Sequence, residues 1–199
     1  MLLENLYLFF TSAMVALAME NAIFARSLGL SRSVLFMKTP GAGILCGGIL
    51  TWIATASSVL VAGVNYLVEG APYASLIRMP GYLLCVCLVY AATYLYTKKK
   101  RPALFRVIRP YLPISTFNTA LFGAFYISSL KSFGFFQTVG YALGTGVGYT
   151  IAIYVIYYAR KRLAISPVPR SFRGLPVLLV YIGFLSLAIY GLIGHGLPS

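Results

Sequence analysis

The sequence predicts an all-α, polytopic membrane protein of six transmembrane helices, and three observations carry that prediction. Of the 199 residues, 60% are hydrophobic and 10% charged, where a soluble domain is about a quarter charged. Mean hydropathy is +0.86. The apolar residues gather into six runs, roughly 6–24, 42–68, 81–96, 111–130, 138–158 and 175–193, and most reach the ~20 residues that cross a bilayer as a helix. Finally, the 16 Lys and Arg, which outnumber three acidic residues for a net charge of +13, sit in short clusters between the runs. Cations placed that way set membrane topology rather than a nucleic-acid surface, so the lipid bilayer is an expected partner and nucleic acid is not.

The first run has Glu4 ahead of it and its positive charges behind it, with no basic segment in front, so it reads as a retained helix rather than a cleaved signal. Near its end lies Ala18-Met19-Glu20-Asn21-Ala22-Ile23-Phe24. Glu20 is the one carboxylate inside a predicted span. It is either a cation or proton ligand helped by Asn21, as intramembrane carboxylates tend to be, or a carboxylate at the cytoplasmic helix end pairing with Arg26 or Arg32. The second run brings Gly43, Gly47, Gly48 and Cys46. The third is short and needs little tilt, or extends into its flanks. Its Cys85 and Cys87 stand about 200° apart on a helix, a poor arrangement for sharing one ion with Cys46. All three cysteines read as small buried hydrophobes, with no metal site and no disulfide framework.

The fourth run holds Pro113-Ile114-Ser115-Thr116-Phe117-Asn118-Thr119-Ala120-Leu121-Phe122-Gly123. Unpaired amides and hydroxyls are costly in hydrocarbon, so Ser115, Thr116, Asn118 and Thr119 should face a protein interface or cavity. Pro113 adds a freed carbonyl if it lies inside a helix. Helices one and four are therefore expected to be broken, each with a polar centre. In the fifth run Gly140, Gly144, Gly146 and Gly148 point to close helix packing; the superficially nucleotide-like Gly144-Thr145-Gly146-Val147-Gly148 follows no strand. Tyr73, Tyr94, Tyr96, Tyr157 and Tyr158, near run ends, fit interfacial anchors, as does His195 beyond the last span. No nucleophile–base–acid set or metalloprotease motif occurs, so no catalytic residue is assigned.

Loops one, three and five carry Arg26, Arg32 and Lys38; Lys98, Lys99, Lys100, Arg101, Arg106 and Arg109; and Arg160, Lys161, Arg162, Arg170 and Arg173. The opposite loops carry Arg78 and Lys131. The positive-inside rule places the first set in the cytoplasm and both termini outside. Three spans on each side of residues 98–101 make one membrane domain (1–199) of two pseudo-repeats, 1–97 and 102–199. An odd number of spans per repeat makes the repeats inverted, and a pair of interrupted helices marks a site at their interface.

Several of these motifs agree in order and spacing with one family. Pro102-Ala103-Leu104-Phe105-Arg106, then Leu112-Pro113-Ile114-Ser115-Thr116-Phe117-Asn118 and Gly123, resembles its "PALY…FLPLITTNC…G" segment. Glu20-Asn21-Ala22 through Leu28-Gly29-Leu30, Val168-Pro169 with Phe172-Arg173-Gly174, and the glycine-rich fifth span fit as well. The chain resembles the RnfA/NqrE branch of the NqrDE/RnfAE family over nearly its whole length. That resemblance implies a subunit of a prokaryotic inner-membrane complex of the Rnf/Nqr kind, which couples electron transfer to Na+ or H+ translocation. It also implies a homologous partner of opposite topology (RnfE/NqrD-like) and further Rnf/Nqr-like subunits.

In the family, one cysteine from each half helps hold a [2Fe–2S] cluster between the paired subunits. The matching positions here are Ser31, after Ser27-Leu28-Gly29-Leu30, and Thr119, after Asn118. Hydroxyls are hard, poor substitutes for thiolate at such a site, so this chain alone is not expected to ligate the cluster. The leading expectation is a noncatalytic subunit of the complex. The alternatives are a small transporter binding an ion or polar solute at Glu20, Asn21, Ser115, Asn118 and Thr119, or a purely structural membrane subunit.

Overall fold

The computed structural model describes residues 2–30, 39–68, 73–167 and 169–193, and among these there are helices and turns but no strand. Eight α-helices follow one another among the described residues: α1 (Leu2–Met14), α2 (Pro40–Val68), α3 (Ala74–Lys100), α4 (Pro102–Ile108), α5 (Leu112–Thr116), α6 (Thr119–Leu130), α7 (Phe135–Ile165) and α8 (Leu175–Ile193). A π-helical turn, Val15–Met19, prolongs α1, and a short 3-10 turn, Arg170–Phe172, precedes α8. Four helical stretches (Pro40–Val68, Leu76–Lys100, Phe135–Ile165 and Leu175–Leu192) are long and apolar enough to cross a membrane.

Helix α7 is the centre of the molecule: 61% of its apolar window is buried, against 11% for α8. Its glycines explain why. A Cβ on Gly140 or Gly144 would run into the backbone of Phe9 or Ala13, and one on Gly148 would crowd Leu17 O, in the π-helical turn that prolongs α1, and Asn21 Nδ2. The carbonyl edge of α1 therefore lies directly on this stripe, and α1 runs in the same direction as α7. Small residues permit such close backbone approach where no hydrophobic force draws helices together. On another face, Gly47 meets the Thr150 side chain and Gly146 meets Thr51, a register that makes α2 antiparallel to α7. Leu50, Ile53, Ala54, Tyr149, Ala152, Ile153 and Ile156 fill the core between them. Helix α3 packs on α2, α5 and α6 pack on α2, and α8 packs on α7. The 144–148 stretch is continuous helix, which removes any likeness to a nucleotide-binding turn.

Several elements differ from expectation, each for a local reason. The third run lengthens into a 27-residue helix by taking in both flanks, including Lys98, Lys99 and Lys100 at its last turn, where cations favour the negative helix end. Pro113 does not kink a helix. It stands in the first turn of α5, as Pro102 does in α4, where no N–H is needed and no carbonyl is freed. The interruption comes later, at Phe117 and Asn118, between α5 and α6. The first helix ends at Met19, and residues 20–30 form turns rather than a second half-helix. Tyr94 packs edge-on against Phe105 and stacks with Tyr90.

Candidate functional site

The two interruptions meet on the middle of α7. Asn21, 5% exposed, accepts from the N–H groups of Ile23 (3.0 Å) and Phe24 (3.4 Å) through Oδ1. Its Nδ2 donates to Leu17 O at 3.1 Å and Gly148 O at 3.0 Å. One side chain thus caps the turn that ends the first helix and ties that turn to α7. Asn118, 1% exposed, performs the same task on the other side. In an extended conformation at the N-cap of α6, it accepts from Ala120 N at 3.0 Å through Oδ1, the usual way an asparagine satisfies an orphan helix donor. Its Nδ2 donates to Tyr149 Oη at 2.7 Å.

A direct link joins the two turns. Gly29 N donates to Thr119 Oγ1 at 2.9 Å, and Tyr149 Oη donates to Gly29 O at 3.3 Å. Gly29 has φ +84°, and a Cβ there would collide with the Tyr149 ring and crowd Asn118 Oδ1, so glycine is required both by conformation and by space. Thr116 returns its hydroxyl to Leu112 O at 2.7 Å. Ser115 is 1% exposed and its Oγ has no hydrogen-bond partner among the described residues; it lies beside the Cys46 thiol. Of the predicted polar centre, then, Asn21, Asn118 and Thr119 converge with Gly148 and Tyr149, while Ser115 lies beside Cys46 of α2 and Thr116 bonds within its own helix. Ser31 and Arg32 lie outside the described residues, as do Glu69 and His195.

Glu20 stands apart from this seam. Its Oε1 meets Lys131 Nζ at 2.6 Å and Arg26 Nη2 at 3.5 Å, and its Oε2 accepts from Tyr141 Oη at 2.7 Å. Arg26 and Lys131, which the loop count assigns to opposite faces, thus converge on one carboxylate. The physical reason is that the first helix stops at Met19 and the chain turns, so Arg26 stays level with the end of α6. The Glu20 side chain is 20% exposed and borders a recess with Ser186 and Tyr190 of α8.

Sequence reasoning missed Gly29, Tyr141, Tyr149 and Lys131 as parts of these networks. Two of them had a legible signal: Tyr141 and Tyr149 lie inside the fifth apolar run, where a phenol hydroxyl must find a partner.

Architecture and site together define a class: a helical, multi-pass membrane protein whose two interrupted segments close on a central glycine-rich helix. Residues 9–195 match the family described as "Rnf-Nqr subunit, membrane protein". The chain belongs to that family. It is 29% identical over 179 residues (88% of this chain, 91% of the relative) to the A-type subunit of the ion-translocating oxidoreductase complex of Aromatoleum aromaticum. It is 27% identical over 192 residues (96% and 98%) to the protein of the same name from Syntrophotalea carbinolica. A third relative is the A-type subunit of the Na(+)-translocating ferredoxin:NAD(+) oxidoreductase complex of Acetobacterium woodii, 25% identical over 179 residues (90% and 93%).

Proposed function

We propose that this chain is an integral membrane subunit of an ion-translocating oxidoreductase complex, serving as scaffold rather than as cluster ligand. The observation that carries the reading is the family match across residues 9–195, in a chain whose interrupted segments are closed by its own hydrogen bonds. Both asparagines and Thr119 are satisfied within the protein. Of the polar centre within the described residues, Ser115 alone keeps an unpartnered hydroxyl; a transporter site would keep more of those groups free for cargo, so the closure at both asparagines and Thr119 favours the scaffold over a solute-binding role.

The proposed architecture has six spans in two inverted halves. Its support is a reciprocal packing: α1 of the first half lies on α7 of the second, and α5 and α6 of the second lie on α2 of the first. Asn21 and Asn118 occupy matching places, each accepting from the N–H two residues on. A pseudo-two-fold axis in the membrane plane relates elements in this way. The expected partner is a homologous subunit of opposite topology, with flavin- and iron–sulfur-bearing subunits beyond it, in a prokaryotic inner membrane with both termini outside.

The residues at the cluster-ligand positions do not fit a [2Fe–2S] cluster. Thr119 offers a hard hydroxyl already engaged with Gly29 N, and Ser31 would offer another, whereas such iron takes soft thiolate. Cys46, Cys85 and Cys87 lie on α2 and α3; Cys46 lies beside Ser115, and none of the three takes part in the hydrogen bonds that join Thr119, Gly29 and Tyr149. Affinity purification from the native membrane, with the partners identified by mass spectrometry, tests the assignment. Recovery of a homologous membrane subunit together with redox subunits is expected; a monomer or homodimer free of redox partners would overturn it.

A further inference from the structure

A second polar site lies away from the seam, where the end of α2, the first turns of α3 and the α6–α7 connection surround a cavity of about 470 Å³. Asn65, Arg78, Ser128, Ser129 and Ser132 supply its polar lining, the Ser128 hydroxyl already donating to Ala124 O, and none of its lining residues among those described is acidic. The Nε of Arg78 is buried and has no hydrogen-bond partner among the described residues. The guanidinium as a whole lines the cavity, and no acidic residue among the described lining offsets its charge, so an anion is the occupant that would neutralise it. The neighbouring groups point the same way. Tyr82 Oη donates to Asn65 Oδ1, which occupies the amide oxygen and leaves Nδ2 to donate, and Ser129 lies beside that phenol. The Arg78 guanidinium is the one charged group among the described lining residues.

We propose that this cavity binds a phosphate group, held by the Arg78 guanidinium with Asn65 Nδ2 and the serine hydroxyls completing the cradle. Arginine is suited to this because its planar fork matches phosphate oxygens in pairs and its charge shortens each bond. The aromatic rings of Tyr66, Phe133 and Phe135 wall the cavity, giving an apolar flank beside the polar lining. A membrane phospholipid offers that combination, a headgroup phosphate joined to apolar chains. Free phosphate shares the recognition chemistry and is the other source. The site lies at the opposite end of α3 from Lys98, Lys99 and Lys100, about 30 Å away at 1.5 Å per residue, so it is separate from that basic cluster.

The test uses the purified full-length chain. Native mass spectrometry reports retention of phosphatidylglycerol, phosphatidylcholine and a phosphate-free diacylglycerol. Melting temperature is followed in parallel as inorganic phosphate is added. The expected result is retention of the phospholipids over diacylglycerol, weakened about tenfold or more in R78Q, severalfold in S129A, and unchanged in R109Q, which removes an equal charge elsewhere. Phosphate-dependent stabilisation that R78Q abolishes, with no preference among the lipids, supports the site with a soluble source. If R78Q does not fold, R78K and S129A carry the test, because each keeps the cavity while degrading its geometry. Retention equal in wild type, R78K and S129A overturns the proposal. So does the finding that E69Q, which alters an acidic residue beyond the end of α2, is needed before any phosphate binds.

Discussion

Asn118 holds the end of one helix, the hydroxyl of Tyr149 and, through that hydroxyl, the carbonyl of Gly29. Removing it should therefore cost more than a surface cap. N118A is expected to destabilise the protein by about 1–3 kcal/mol, combining a lost cap with stranded buried partners. N118D keeps the cap and loses the amide donor, so it should fall between N118A and wild type in detergent melting curves. Y149F tests the same network from its other side and should lose about 1–2 kcal/mol. At Glu20 the expectation is different. All three charged partners are partly exposed, at 20% to 44%, so E20Q should cost about 0.5–1 kcal/mol. A double-mutant cycle of E20Q with K131M should show a coupling of that size, since the double variant no longer leaves Lys131 facing Arg26 alone. Zero coupling would mean that the pair contributes nothing. The asparagines and Glu20 were legible as intramembrane polar residues; their partners were not. Hydrogen bonds spanning 127 and 111 residues depend on how the turns are placed, which residue type alone does not encode.

Among the helices, the deciding feature is the α1–α7 contact on Gly140, Gly144 and Gly148. G144V should separate α1 from α7, because the new side chain meets the Ala13 backbone, which cannot move aside as a side chain does. Overpacking of this kind costs about 1–3 kcal/mol or more. Gly183 on α8 has open space around it, and G183A should be neutral or slightly stabilising by helix propensity. Equal melting temperatures for the two variants would contradict the stripe. Close packing at these glycines was readable in advance from their spacing; that α1 is the helix packed there was not. The ends of the helices were less so, because hydropathy falls at Lys98, Lys99 and Lys100 although the backbone stays helical to Lys100. Pro113 misled for a related reason: a proline marks a change of backbone but does not say whether it ends one helix or begins the next.

For the whole molecule, composition and the loop charges point to the membrane class and the motifs to the family, and the match over residues 9–195 shows both. Orientation is testable in intact cells. In a background with Cys46, Cys85 and Cys87 changed to alanine, Y73C should react with a membrane-impermeant thiol reagent from outside. K99C should react only after permeabilisation, and the reverse pattern would invert the proposed topology. The central claim is that the family scaffold has been kept while its cluster ligation from this chain has not. Counting iron and acid-labile sulfide per copy in the natively purified assembly, for wild type and for T119A and S31A, tests it most directly. Redox subunits present, with iron and sulfide unchanged by either substitution, is the predicted result. Iron and sulfide that fall with T119A or S31A would contradict it, because the hydroxyls at those positions would then be holding a cluster.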